Sequence, residues 1–321
     1  MKKKQIIFII SCILGAIPVL FISNVELMIS YLRVLFLFIF IFTLYLYLAN
    51  IEATPPKYII INYNLREMKY KGRKVYILSS LKSNNKNKYI LYLHGGSYVM
   101  ETTYKHWQFL GDLVNETDCT LILPDYPLSP KHTYKDVFNM IEPLYEDIIK
   151  KVGKENIILM GDSAGGGMAL GLIEKLTIDK KDLPVKTILL SPWLDVRLKN
   201  EKIEKIEKLD PSLIKSALIL AGRTYAGKDG MESYLVNPID GPLKGIKNTY
   251  IFTGTYDILN PDVHIFMERA RKENADIKLI EVEKAIHIWM TYRESNEEVY
   301  FANETFNDIV KLVKEEDENE R

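Results

Sequence analysis

One serine in this chain stands where it could be made into a nucleophile. Gly161-Asp162-Ser163-Ala164-Gly165 directly follows the apolar run Ile157–Met160 and directly precedes the helical pattern Ala164–Thr177. Strand, G-x-S-x-G, helix is the pattern of a nucleophile elbow, a tight turn that lifts the hydroxyl clear of a sheet edge. The glycines are needed because side chains there would collide with neighbouring backbone, and Gly166 and Gly167 add room for close packing. A bare G-x-S-x-G also fits an ordinary strand-to-helix turn. The flanking strand and helix favour the elbow.

A serine hydroxyl attacks only if a base takes its proton and donors stabilise the oxyanion that develops. His94-Gly95-Gly96-Ser97-Tyr98, right after the apolar run Tyr89–Leu93, supplies a diglycine whose N–H groups are unobstructed. The expected oxyanion donors are the amides of Gly95, Gly96 and Ala164. Of the five histidines, His94 belongs to that loop, His106 and His132 lie between early strands, and His264 falls in a helical pattern. Only His287 follows the last strand, where a loop can return it to the serine. Thr253-Gly254-Thr255-Tyr256-Asp257 follows the preceding strand and offers the acid, with Asp262 and Glu283 less well placed. The expected catalytic set is Ser163, Asp257 and His287, in that chain order.

These residues need a scaffold of parallel strands. Strand-like runs fall at Tyr58–Ile61, Lys74–Leu78, Tyr89–Leu93, Thr120–Leu123, Ile157–Met160, Thr187–Leu190, Thr249–Thr253 and Lys278–Val282. Helical patterns fall near Lys105–Glu116, Tyr134–Lys151, Ala164–Thr177, Val263–Asn274 and Glu297–Glu315. From Tyr89 onward the two alternate. Short, doubly apolar strands in that alternation predict an α/β fold with a mainly parallel central sheet covered by helices. Val196–Asn237 interrupts it with about forty residues, a length usual for a lid or binding element. Leu209, Leu213, Ile214, Leu218 and Tyr225 of that insertion fit either an acyl pocket or a helix's core-facing stripe.

The first fifty residues differ in kind. Gln5–Ile22 and Val34–Ala49 carry no charge and are mostly aliphatic and aromatic, with Arg33 just ahead of the second run. A spanning helix needs about 20 such residues, so residues 1–52 are expected to be a membrane anchor of two transmembrane helices. Thr54-Pro55-Pro56 breaks helical structure and marks the boundary. Residues 53–316 are expected to form the catalytic domain, with the cap insertion at about 196–237 and a solvated tail at 317–321. Lys2, Lys3 and Lys4 precede the first run, Ser23–Glu26 has no basic residue, and Lys57, Arg66, Lys69, Lys71, Arg73 and Lys74 follow the second. The positive-inside rule then puts both chain ends in the cytoplasm.

Composition excludes other classes. Lys plus Arg equals Asp plus Glu at 42 each, so there is no basic excess to hold nucleic acid. Cys12 and Cys119 suggest neither a disulfide framework nor a metal site. No metal-ligand spacing is present, and the chemistry must come from side chains.

With these motifs in place the chain resembles the hormone-sensitive-lipase branch of the α/β hydrolases, esterases and acetyl hydrolases marked by HGG and GDSAGG. The likeness runs from about Tyr89 to Trp289. It takes in Pro124-Asp125-Tyr126-Pro127-Leu128-Ser129-Pro130, similar to that branch's D-Y-R-L-A-P stretch, and Ser191-Pro192-Trp193-Leu194-Asp195. The resemblance implies a cap over the active site, no cofactor, and serine-dependent hydrolysis of carboxylic esters, on a small-molecule or lipid-like substrate. Amide hydrolysis by the same triad is the alternative, and a ligand-binding protein on a hydrolase scaffold a further one. Two departures stand out: Pro127 replaces the usual arginine, and Ile288 replaces the glycine that commonly follows the histidine.

Overall fold

The computed structural model describes residues 54–83, 88–292 and 300–315, all within the unit Ala53–Arg321. The expected membrane anchor at 1–52 and the tail at 317–321 lie outside the described residues. Among the described residues no helix is long and apolar enough to cross a membrane.

Among the described residues eight strands form one sheet: β1 (Tyr63–Tyr70), β2 (Arg73–Ser80), β3 (Tyr89–Leu93), β4 (Thr120–Pro124), β5 (Ile157–Asp162), β6 (Lys186–Leu190), β7 (Thr249–Gly254) and β8 (Ile277–Val282). Their order is β1-β2-β4-β3-β5-β6-β7-β8. β1 pairs antiparallel with β2 and β2 with β4; from β4 to β8 every pairing is parallel. β5 lies between β3 and β6 with every residue buried, as its unbroken apolar run requires of a strand covered on both faces.

Helices cover both faces. α1 (Lys57–Asn62), α2 (Tyr104–Thr117) and α8 (Tyr300–Lys314) bury Ile59, Trp107, Leu110, Phe306 and Ile309 in one core layer. α3 (Tyr134–Val152), α4 (Ala164–Ile178) and α7 (Asn260–Lys272) bury Val137, Ile141, Leu170 and Phe266 in the other. The insertion carries α5 (Ile203–Ile206) and α6 (Lys215–Ala226). On α6, Leu218 and Tyr225 point into the core, whereas Leu209 and Ile214 ahead of the helix are exposed.

One expectation about the N-terminal edge is corrected, and one strand there was not anticipated. Tyr58–Ile61 belongs to helix α1, not to a strand. Pro56 is its N-cap, a position where proline's fixed φ suits a helix start, and of three consecutive isoleucines only Ile59 is buried. The true first strand, β1, escapes a hydrophobicity reading because it is an edge: of Asn64, Arg66, Glu67 and Lys69 none is buried. Charged residues on an edge strand also discourage pairing with other chains.

Candidate active site

Ser163 sits between β5 and α4 with φ 52° and ψ −120°, a backbone conformation costly for any residue but glycine. The surroundings over-determine it. The Ser163 N–H donates to the Leu190 carbonyl (2.8 Å), and the Ser163 carbonyl accepts from Trp193 N–H (2.9 Å) and Gly167 N–H (3.1 Å). Gly165 is required by close approach: a Cβ there would lie 1.9 Å from the Leu93 carbonyl oxygen. The elbow therefore rests on the end of β3, where the His94–Tyr98 loop begins.

His287 follows β8 and Asp257 follows β7, on the same sheet edge as Ser163. The His287 Nδ1–H donates to Asp257 Oδ2 over 2.9 Å. Asp257 is fully buried, and its Oδ1 accepts from Leu259 N–H at 2.9 Å. With Nδ1 carrying the proton, Nε2 is left with its lone pair. Burial disfavours charge on His287, but Asp257 outweighs it, with Asp210 and Asp162 adding to the effect, and the His287 pKa stands above the ordinary 6.5. The histidine loop is tied back towards the serine: Ile288 N–H donates to Ser191 Oγ (3.1 Å), and Ser191 is the residue after the carbonyl that holds Ser163. The Ser191–Asp195 stretch is thus a splint between elbow and histidine.

The other histidines and acids are accounted for. His94 stacks on Tyr126 (4.3 Å between ring centroids) and bonds the Gly95 carbonyl through Nδ1 (2.7 Å). Burial, and then His106, push its pKa down to about 4, so it is a neutral structural group. His264 pairs with Glu281 at the surface (2.7 Å) and His132 lies 3.8 Å from Asp136. Asp262 is buried and lines a separate cavity with Arg197 and Arg269, where burial raises its pKa to about 7. Glu283 is exposed. Neither competes with Asp257 for His287.

Of the three expected oxyanion donors, one is committed elsewhere. Gly95 N–H donates to Asp162 Oδ1 at 2.8 Å, which turns it away from any substrate oxygen. Among the described residues the amides of Gly96, Ser97 and Ala164 have no hydrogen-bond partner. Ala164 N–H belongs to the first turn of α4, whose amides are free for an anion. Gly96 has φ 115°, and a Cβ there would meet the Met100 carbonyl oxygen at 2.8 Å, so the turn needs glycine.

Asp162, the x of G-x-S-x-G, was not singled out by sequence. It is fully buried. Tyr92 OH donates to its Oδ1 (2.8 Å) and His106 Nε2–H to its Oδ2 (3.1 Å). The tautomer is fixed because His106 Nδ1 accepts the Thr103 N–H at 3.0 Å. Burial alone would raise the Asp162 pKa, but His106, Tyr92 and Gly95 together hold it below the usual value. Pro127 also finds an explanation. The Pro124–Pro130 loop, lacking its own arginine, is held by Arg73 of β2, which donates to the Asp125 carbonyl (2.8 Å), Asp125 Oδ1 (2.7 Å) and the Tyr126 carbonyl (3.1 Å). Ile288 has φ 45° and ψ 36°, a left-handed conformation that explains why glycine is common after such a histidine.

The family model described as alpha/beta hydrolase fold matches residues 90–291, and this chain belongs to that family. An esterase of Acinetobacter venetianus is 31% identical over 192 residues, covering 59% of this chain and 63% of the esterase. A triacylglycerol lipase of Mycobacterium tuberculosis is 26% identical over 203 residues, covering 63% of this chain and 42% of the lipase. The chain thus spans less than two thirds of the length of these two curated relatives. A solved esterase of the bacterial hormone-sensitive lipase family superposes with a TM-score of 0.73 at 21% identity, over 79% of this chain and 85% of the other. The fold is the one that the sequence motifs imply.

Proposed function

We propose that this chain hydrolyses carboxylic esters, with Ser163 as nucleophile, His287 as base and Asp257 as the acid that orients and balances the base. The observation that carries the reading is the 2.9 Å His287–Asp257 hydrogen bond at the sheet edge that also presents the strained Ser163. The esterase and lipase named above favour ester bonds as the target.

In this reading His287 Nε2 takes the Ser163 proton as Oγ adds to the ester carbonyl carbon. Asp257 does not accept a proton; it stabilises the imidazolium formed. The negative oxygen lies against the amides of Ala164, Gly96 and Ser97. His287 then returns its proton to the departing alcohol, leaving an acyl-serine. Water, deprotonated by the same nitrogen, releases the acid and restores Ser163. No cofactor or metal is needed for any step, and the substrate is a small-molecule or lipid-like ester.

The apolar composition of residues 1–52 supports a membrane anchor, and the distribution of Lys and Arg supports a cytoplasmic catalytic domain. Rates on nitrophenyl esters from acetyl to palmitoyl, in detergent, test the activity: turnover by the parent and none by Ser163→Ala is expected. Equal turnover by both proteins overturns the reading. Labelling of a cysteine introduced at 317–321 in intact cells tests the topology; reaction with an impermeant reagent contradicts it.

A further inference from the structure

Asp210 is a carboxylate of the cap that is built into the acid loop. It lies between α5 and α6 and is 9% exposed. Its Oδ1 accepts the N–H groups of Ser212 (2.7 Å) and Leu213 (3.0 Å), which shapes the turn into α6. Its Oδ2 crosses to the hydrolase core and accepts Ile258 N–H at 2.9 Å. Ile258 lies between Asp257, which holds His287, and Leu259, whose N–H holds the other Asp257 oxygen. Two carboxylates therefore fix successive amides of one loop, and one of the two belongs to the cap.

We infer that Asp210 is a positioning residue for hydrolysis, fastening the cap to the Asp257 loop and stabilising the imidazolium of His287. This rests on the triad reading above. The Asp210 carboxylate accepts three backbone N–H groups, those of Ser212, Leu213 and Ile258. Among the described residues no Lys, Arg or His forms an ion pair with it. The charged groups acting on His287 are Asp257, Asp210 and Asp162, all of one sign. The Tyr292 phenol, pushed up by burial and then by Asp210, carries Lys105 3.5 Å above its ring. If a cap displacement drew Asp210 off Ile258, the acid loop would lose a tether and His287 part of its basicity. Cap position and base strength are coupled through one side chain.

The test compares the parent with Asp210→Asn and Asp210→Glu. The low-field Nδ1–H resonance of His287 is titrated by NMR without substrate, and kcat and KM are followed against pH. For Asp210→Asn the His287 pKa is expected to fall by about 0.5 and kcat by roughly 3- to 10-fold, the scale of one partly screened charge, with KM little changed. Asp210→Glu keeps the charge but disturbs the Ile258 bond, so kcat should fall while the imidazole pKa stays near that of the parent. Should the asparagine variant not fold, the glutamate variant decides: parental kcat with a lowered melting temperature overturns the inference. So does an Asp210→Asn titration that superposes on the parent's. Failure of the parent to turn over any ester would refute the hydrolase reading instead, and the imidazole titration, which needs no substrate, would still judge Asp210.

Discussion

The Gly95 amide and the Asp162 carboxylate, 67 residues apart in sequence, are joined by a 2.8 Å hydrogen bond. The bond ties the His94–Tyr98 loop to the Gly161–Gly165 turn, so the two glycine motifs are one unit. Asp162 has three donors, from Tyr92, Gly95 and His106, and an amide in its place would set an NH2 against the His106 N–H. Asp162→Asn is therefore expected to cost about 1–3 kcal/mol of stability, the scale of a buried donor left unpaired. It should also lower kcat more than it raises KM, as read by denaturant unfolding and steady-state kinetics. Parental values of both would mean that the loop and elbow are held independently.

The raised pKa of His287 fixes the direction of pH effects. Nε2 must be unprotonated to act, so kcat/KM should fall as pH drops, with the acid-limb midpoint above the ordinary 6.5. The stability linkage runs the other way. The folded state holds this proton more tightly than the unfolded chain, so the pair's contribution is full below about pH 6.5 and lost as pH rises through the folded pKa. An acid-limb midpoint at or below 6.5 would contradict the pairing with Asp257.

Gly96→Val should reduce turnover by on the order of 100-fold or more, the scale of losing an oxyanion donor. The added side chain meets the Met100 carbonyl, and φ 115° is closed to it. Gly95→Ala reaches the same hole indirectly, because its Cβ would press on Asp162 Oδ2 at 2.2 Å. Turnover and melting temperature should fall together in that variant. Unchanged kcat in Gly96→Val would place the oxyanion donors elsewhere.

The sequence made some of this site legible and hid the rest for a physical reason. Ser163 directly follows β5, while Asp257 and His287 lie in the loops just past β7 and β8, so the order in which these three segments leave the sheet is legible in the chain. Asp162 carries no such signal, because its role lies in Tyr92, Gly95 and His106, 56 to 70 residues away, brought to it by the pairing of β3 with β5 and by helix α2. Separation in sequence likewise hides the bond of Ile288 to Ser191, 97 residues apart, and that of Ile258 to Asp210, 48 apart. The diglycine is visible in the sequence, but the commitment of the Gly95 amide to Asp162 depends on a carboxylate from another strand. Edge elements failed differently, since the polar β1 and the one-turn α1 carry too little periodicity to show.

The measurement that bears most directly on the account is site mapping of a fluorophosphonate adduct by mass spectrometry. On the parent protein the adduct should fall on Ser163 alone, and labelling should be lost in Ser163→Ala and strongly slowed in His287→Ala, because the pair acts as a unit. An adduct on another residue, or ester turnover by a protein whose Ser163 stays unlabelled, would contradict it.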